Sequence, residues 1–288
     1  MAAALGPTAA VTVGRSGRTG GVLRRLVTAA ALIPLIVWLV AAADPRLFTL
    51  LVCGVVGLAL WELLRLFEQA GQPTYRRLGV ALGVVLAASF EAGARRGDLG
   101  PALVTLLIAL GVVLTAPVAL GRPAAAAPAV TLLALLWVGW LFGHALLLHR
   151  APQGEELVLV LAGVTWVGET AAYVVGSALG RHRLAPVVSP AKTVEGAVAQ
   201  FLASVATAVA LAAWMLPHWP VGRAAGAGAL LGLTGQLGDL AESAVKRSAG
   251  VKDAGGLLPG HGGVLDRVDG LLFNVPALYY YVRLGGWT

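Results

Sequence analysis

The densest set of chemically able residues begins at Asp239. In Gly238-Asp239-Leu240-Ala241-Glu242-Ser243-Ala244-Val245-Lys246-Arg247 the polar residues Asp239, Glu242, Ser243 and Lys246 recur at i, i+3, i+4 and i+7, the spacing of one helix face. Lys252-Asp253 then leads into Ala254-Gly255-Gly256-Leu257-Leu258-Pro259-Gly260-His261-Gly262-Gly263, with five glycines between 255 and 263. A backbone so poor in side chains can approach a phosphate closely and turn N–H groups toward it. Asp266 and Asp269 follow one helical turn apart, at the start of an apolar run. Carboxylates on one face, opposite Asp239, are the hard oxygen ligands that Mg²⁺ prefers, with water and substrate phosphates completing the shell. Each piece has a plainer reading: a polar helix end reaching the interface, a flexible turn, a pair of N-caps. Capping alone leaves Asp239, Lys246, Arg247, Lys252, His261 and Arg267 without a role. Acids for a metal, cations for phosphates and a glycine loop between them describe phosphoryl or nucleotidyl transfer.

The elements that must position these residues are membrane helices. Of 288 residues, 58% are hydrophobic and only 12% charged, about half the charged fraction of an ordinary soluble domain. Apolar runs at 26–43, 47–67, 78–90, 101–120, 127–148, 157–179, 196–216, 224–245 and 270–282 predict an all-α, polytopic protein with about nine transmembrane helices. The third and ninth runs are short, so tilt or extension by flanking residues leaves eight or ten open. The first run ends Ala41-Ala42-Ala43, similar to a signal-peptidase site, yet its length fits an uncleaved helix better. Residues 1–20, without periodicity, are expected to be disordered.

With the N-terminus in the cytoplasm, fifteen of the 21 basic residues fall on the cytoplasmic side and the C-terminus lies outside, as the positive-inside rule prefers. The expected location is the inner, cytoplasmic membrane. The net charge of +7 does not indicate nucleic acid, because the basic residues are scattered in short groups between apolar runs. The single cysteine, Cys53, sits in an apolar stretch and supports neither a disulfide framework nor a thiolate metal site.

The organisation expected is a disordered tail over 1–20, about five helices over 21–150 and a catalytic set with cytoplasmic loops over 151–288. In the first half polar residues keep almost wholly to loops; acids within or beside apolar runs come later. Of the exceptions, Glu62 is expected to pair with Arg65 three residues on, near a helix end. Glu169, mid-helix, is either a functional group or a structural acid, since burying an ionisable side chain in a membrane is costly.

Ser243-Ala244-Val245-Lys246-Arg247, Lys252-Asp253, Pro259-Gly260-His261-Gly262-Gly263 and Asp266-Arg267-Val268-Asp269 together resemble the signature of bacterial phosphatidate cytidylyltransferases, the CDP-diacylglycerol synthases. A second segment, Gly180-Arg181-His182-Arg183-Leu184 with Ser189-Pro190-Ala191-Lys192-Thr193-Val194-Glu195-Gly196, is similar to another element of that family. One position departs: the family's Asp before Thr-x-Ala-Tyr is Glu169 here, in Glu169-Thr170-Ala171-Ala172-Tyr173.

The resemblance implies transfer of CMP from CTP to phosphatidic acid, giving CDP-diacylglycerol and pyrophosphate. It implies Mg²⁺, alone or with a second cation, on Asp239, Asp266 and Asp269. Lys246 and Arg247 join these acids as catalytic residues. Ser189, Lys192, Ser243, Lys252, His261, Gly262, Gly263, Arg267 and Glu169 would face the substrates, and the first helices would form a homodimer contact. Two alternatives stand beside it: a CTP-dependent transferase acting on a polyprenol or another lipid, and a secondary transporter. The transporter is disfavoured because no internal repeat is apparent and the acids cluster toward one membrane face.

Overall fold

The computed structural model describes residues 34–42, 44–121, 125–251, 254–255 and 262–286. Among these, helices account for nearly all regular structure: α1 (34–41), α2 (Pro45–Gln69), α3 (Arg76–Arg96), α4 (Gly100–Ala119), α5 (Ala126–Arg150), α6 (Gly154–Leu179), α7 (Val194–Met215), α8 (Val221–Ser248) and α9 (Leu265–Leu284). α5 carries a π-helical segment at Leu135–Trp140. The six from α2 to α7 are long and apolar enough to cross a membrane on length and composition; the chain is an integral membrane protein. The short apolar runs at 78–90 and 270–282 are lengthened by flanking residues, to 21 residues in α3 and 20 in α9. The expected disordered tail lies outside the described residues, as does half of the first apolar run.

One element was not foreseen. The segment before α7 is an antiparallel hairpin, β1 (Arg183–Ala185) with β2 (Ser189–Thr193), in register Arg183 to Thr193 and Ala185 to Ser189. Its base is tied down by Glu195, whose carboxylate accepts from the backbone N–H of Arg181 at 3.1 Å and meets His182 Nδ1 at 2.7 Å. Thr193 caps α7, its hydroxyl accepting from Gly196 N–H at 3.1 Å.

The C-terminal helices pack closely because small residues line their contacts. α6 meets α7 over the longest interface, followed by α7 with α8 and α8 with α9. A Cβ on Gly228 would stand 2.7 Å from Ser204 O and Val205 Cα of α7, so a side chain there would force the two backbones apart. Between α6, α8 and α9 the buried Asn274 donates to Thr165 at 2.8 Å and accepts from Thr234 at 2.5 Å. Such a link in an apolar bundle fixes rotation and register, since slipping would leave buried polar groups unpaired.

The apolar core of the first half is built on Leu60, Leu63 and Leu64 of α2 with Leu86 and Phe90 of α3, all fully buried. α4 contributes little to it and presents Leu103, Val104, Leu107 and Ile108 outward, the surface expected of a helix bordered by lipid.

Candidate active site

The acids of α8 and α9 meet because the helices touch at a glycine. A Cβ on Gly238 would lie 2.5 Å from Asp269 O, so only glycine allows α9 this near to the turn that carries Asp239. One ligand oxygen each from Asp239, Glu242 and Asp269 lies within 4.8 Å of the others. Glu242 is 1% exposed. Its Oε2 receives Lys246 Nζ at 2.6 Å, while Oε1 is buried without a hydrogen-bond partner among the described residues. An unspent buried carboxylate oxygen beside two further acids is costly in protein alone and suits a cation.

Two lysines flank this group from opposite sides. Lys192 of β2 reaches Asp239 Oδ2 at 2.5 Å. Lys246 bridges Glu242 and Asp266, with Asp266 Oδ1 at 2.9 Å. The hairpin and α8 therefore each deliver a cation to the acidic cluster, at different carboxylates.

Asp266 stands differently from its expected place as a metal ligand. It is outside the three-acid group, and its oxygens accept from Gly263 N–H at 2.8 Å and Ala254 N–H at 3.2 Å as well as from Lys246. Its carboxylate thus joins the two ends of the glycine-rich loop. Gly262 adopts φ +81°, and a Cβ there would sit 2.9 Å from Asp266 Oδ2, so both its backbone and its surroundings require glycine.

Two cavities meet at these acids. One, about 260 Å³, is lined by Glu169, Asp239, Lys246, Asp266, Arg267 and Asp269. The other, about 490 Å³, is a groove between α6, α7 and the hairpin, running past Tyr173, Gly176, Lys192 and Arg183. Glu169 and Asp239 belong to both walls. Glu169 also faces α9, since a Cβ on Gly270 would be 3.0 Å from its Oε1.

The structure thus brings together Glu169, Lys192, Asp239, Lys246, Asp266, Arg267 and Asp269 of the expected set. Ser243 is buried, with its hydroxyl 3.5 Å from Asp239 Oδ1, a contact at the edge of hydrogen bonding. Arg247 and Ser189 line neither cavity. The Arg247 guanidinium donates to the carbonyls of Val188 and Val251, bracing the hairpin against the end of α8. Lys252 and His261 lie outside the described residues. Glu242 joins the site beyond the expected set, and its place three residues after Asp239, on the same helix face, is the signal that marks it.

Glu62 does not pair with Arg65 as its spacing suggested. Its Oε2 accepts from Leu265 N–H at 2.9 Å, at the start of α9 and 203 residues away in sequence. The i+3 neighbour is exposed, so a buried orphan N–H of α9 is the better partner.

A family model described as the cytidylyltransferase family matches residues 23–285. The chain belongs to this family. A phosphatidate cytidylyltransferase of Synechocystis sp. is 45% identical over 135 residues, covering 46% of this chain and 45% of the relative. One from Staphylococcus aureus (strain COL) is 38% identical over 147 residues, 51% of this chain and 56% of the relative. The uncharacterized protein YnbB of Escherichia coli (strain K12) is 38% identical over 163 residues, 53% and 54%. The chain spans about half the length of the curated relatives it matches.

Proposed function

We propose that this protein transfers the CMP moiety of CTP to phosphatidic acid, forming CDP-diacylglycerol and releasing pyrophosphate. The observation that carries the reading is the junction of two cavities at one acidic group, with Lys192 on one side and Lys246 and Arg267 on the other. An in-line displacement needs attacker and leaving group on opposite faces of one phosphorus. Here a phosphate oxygen of the lipid attacks the α-phosphorus of CTP, the bond from that phosphorus to the bridging oxygen breaks, and pyrophosphate carries away the electron pair. The lipid phosphate is already anionic near neutral pH, so no strong general base is required.

The residues' task is electrostatic. Lys246 and Arg267 line the smaller cavity, where they offset the growing charge of pyrophosphate. Lys192 at the mouth of the groove would hold the attacking phosphate. The close oxygens of Asp239, Glu242 and Asp269 fit Mg²⁺, which when bound supplies charge neutralisation and alignment of the phosphates. Cytosolic CTP requires this end of the bundle to face the cytoplasm of the inner membrane, with the N-terminus on the same side, as the basic residues favour.

Purified protein incubated with radiolabelled CTP, Mg²⁺ and either phosphatidic acid or polyprenol tests the reading. Labelled liponucleotide is expected with phosphatidic acid only; product with polyprenol alone, or none, refutes it. For orientation, Ser189→Cys in a Cys53→Ala background should resist an impermeant maleimide in intact cells, and labelling there would reverse the assignment.

A further inference from the structure

Glu62 is the unexpected acid of the first half. It lies on α2, is 3% exposed, and gives Oε2 to the Leu265 N–H at 2.9 Å. No side chain caps α9 from Val264, so this N–H would otherwise be one of the orphan donors of a helix start. The other oxygen, Oε1, is buried and has no hydrogen-bond partner among the described residues. Both ends of the glycine-rich loop rest on this carboxylate: a Cβ on Gly263 would stand 2.6 Å from Oε2, and one on Gly255 would overlap Oε1. Asp266, which gathers the same loop ends, begins one residue after the N–H that Glu62 holds.

We propose that Glu62 is a positioning residue of the transfer centre: from α2 it fixes the first turn of α9 and the loop ends, and so sets where Asp266 and Asp269 stand. A purely packing role would be filled at lower cost by an apolar side chain, because a buried carboxylate must be repaid in hydrogen bonds. The return is a rigid seat for an element that would otherwise be held to the bundle through its own apolar face. The inference rests on the proposed cytidylyl transfer for its catalytic readout and stands on loop order for the other.

The test uses the full chain in detergent with three variants, Glu62→Ala, Gly255→Ala and the double mutant, and Glu62→Gln as the conservative control. Glu62→Ala should lower kcat about tenfold or more, since misplacement near 1 Å can cost up to ~10². It should also raise half-saturating Mg²⁺ several-fold, by about three times or more on the same reasoning, and speed amide exchange over residues 254–268. Gly255→Ala should do likewise by pushing against the carboxylate. In the double mutant the space is cleared, so its losses should not exceed those of Glu62→Ala alone. Glu62→Gln keeps an acceptor for Leu265 N–H and should stay within about threefold of wild type.

Unchanged kcat, Mg²⁺ dependence and exchange in Glu62→Ala would overturn the proposal, as would additive losses in the double mutant. If Glu62→Ala does not fold, Gly255→Ala decides: wild-type exchange over 254–268 refutes the contact. A wild-type protein that makes no liponucleotide refutes the transferase reading, while the exchange data still judge Glu62.

Discussion

The two ends of the bundle treat charge in opposite ways. At one end Glu91 is held by two cations, Arg150 at 2.5 Å and Arg95 at 3.0 Å, and by the Thr49 hydroxyl at 3.3 Å. Arg283 nearby is spent on Tyr279 OH and Gly97 O. At the other end five carboxylates, Glu169, Asp239, Glu242, Asp266 and Asp269, share Lys192, Lys246 and Arg267. Thr49 and Glu62 mark the two ends on α2, about 20 Å apart at 1.5 Å per residue. The first cluster is closed, with its one acid satisfied by its own neighbours. The second has more acids than cations and opens onto two cavities, where a bound cation would offset the excess. Membrane helices tolerate either arrangement, but an unbalanced one persists where function requires it.

That contrast is broken most forcefully at the acid-rich end. Asp239→Asn and Asp269→Asn preserve size and remove an anionic oxygen, so CDP-diacylglycerol formation should fall by roughly 10²–10³, equivalent to about 3–4 kcal/mol of transition-state stabilisation. Thermal unfolding of the purified variants should stay close to wild type; a fold lost together with activity would assign these acids to stability.

Lys246→Ala lies between the two ends in its effect. It strands Glu242 and Asp266, both buried, and removing one partner of such a pair costs roughly 3–5 kcal/mol. Activity and melting temperature should fall together, and a variant as stable as wild type would mean that the two acids are balanced by another group.

Glu91→Gln sharpens the comparison from the closed end. It should destabilise by about 1–3 kcal/mol, because Arg150 and Arg95 lose their shared anion. Turnover by the folded protein should stay within about twofold of wild type. A selective loss of kcat would show that the closed cluster takes part in the chemistry.

Much of this was legible in sequence because it is local. The apolar runs located the membrane helices among the described residues, and the i, i+3, i+4, i+7 spacing located the face that carries Asp239 and Lys246. What could not be read was which acids meet in space. Asp266 and Asp269 are neighbours on one helix, yet one closes a loop and the other joins Asp239 and Glu242, a division set by the contact at Gly238. Glu62 shows the same limit: spacing offers Arg65, whereas the fold supplies an N–H from 203 residues away. The hairpin was hidden because its short strands hold Pro190 and Lys192, and their shape depends on Glu195 and Arg247 beyond the turn.

The central claim is that Asp239, Glu242 and Asp269 together hold the cation that the transfer needs. The most direct test is the Mg²⁺ dependence of CDP-diacylglycerol formation by Glu242→Gln, made at normal yield and stability. The account predicts a maximal rate lower by about 10² or more and a half-saturating Mg²⁺ concentration shifted upward. Wild-type turnover at the wild-type Mg²⁺ requirement would contradict it.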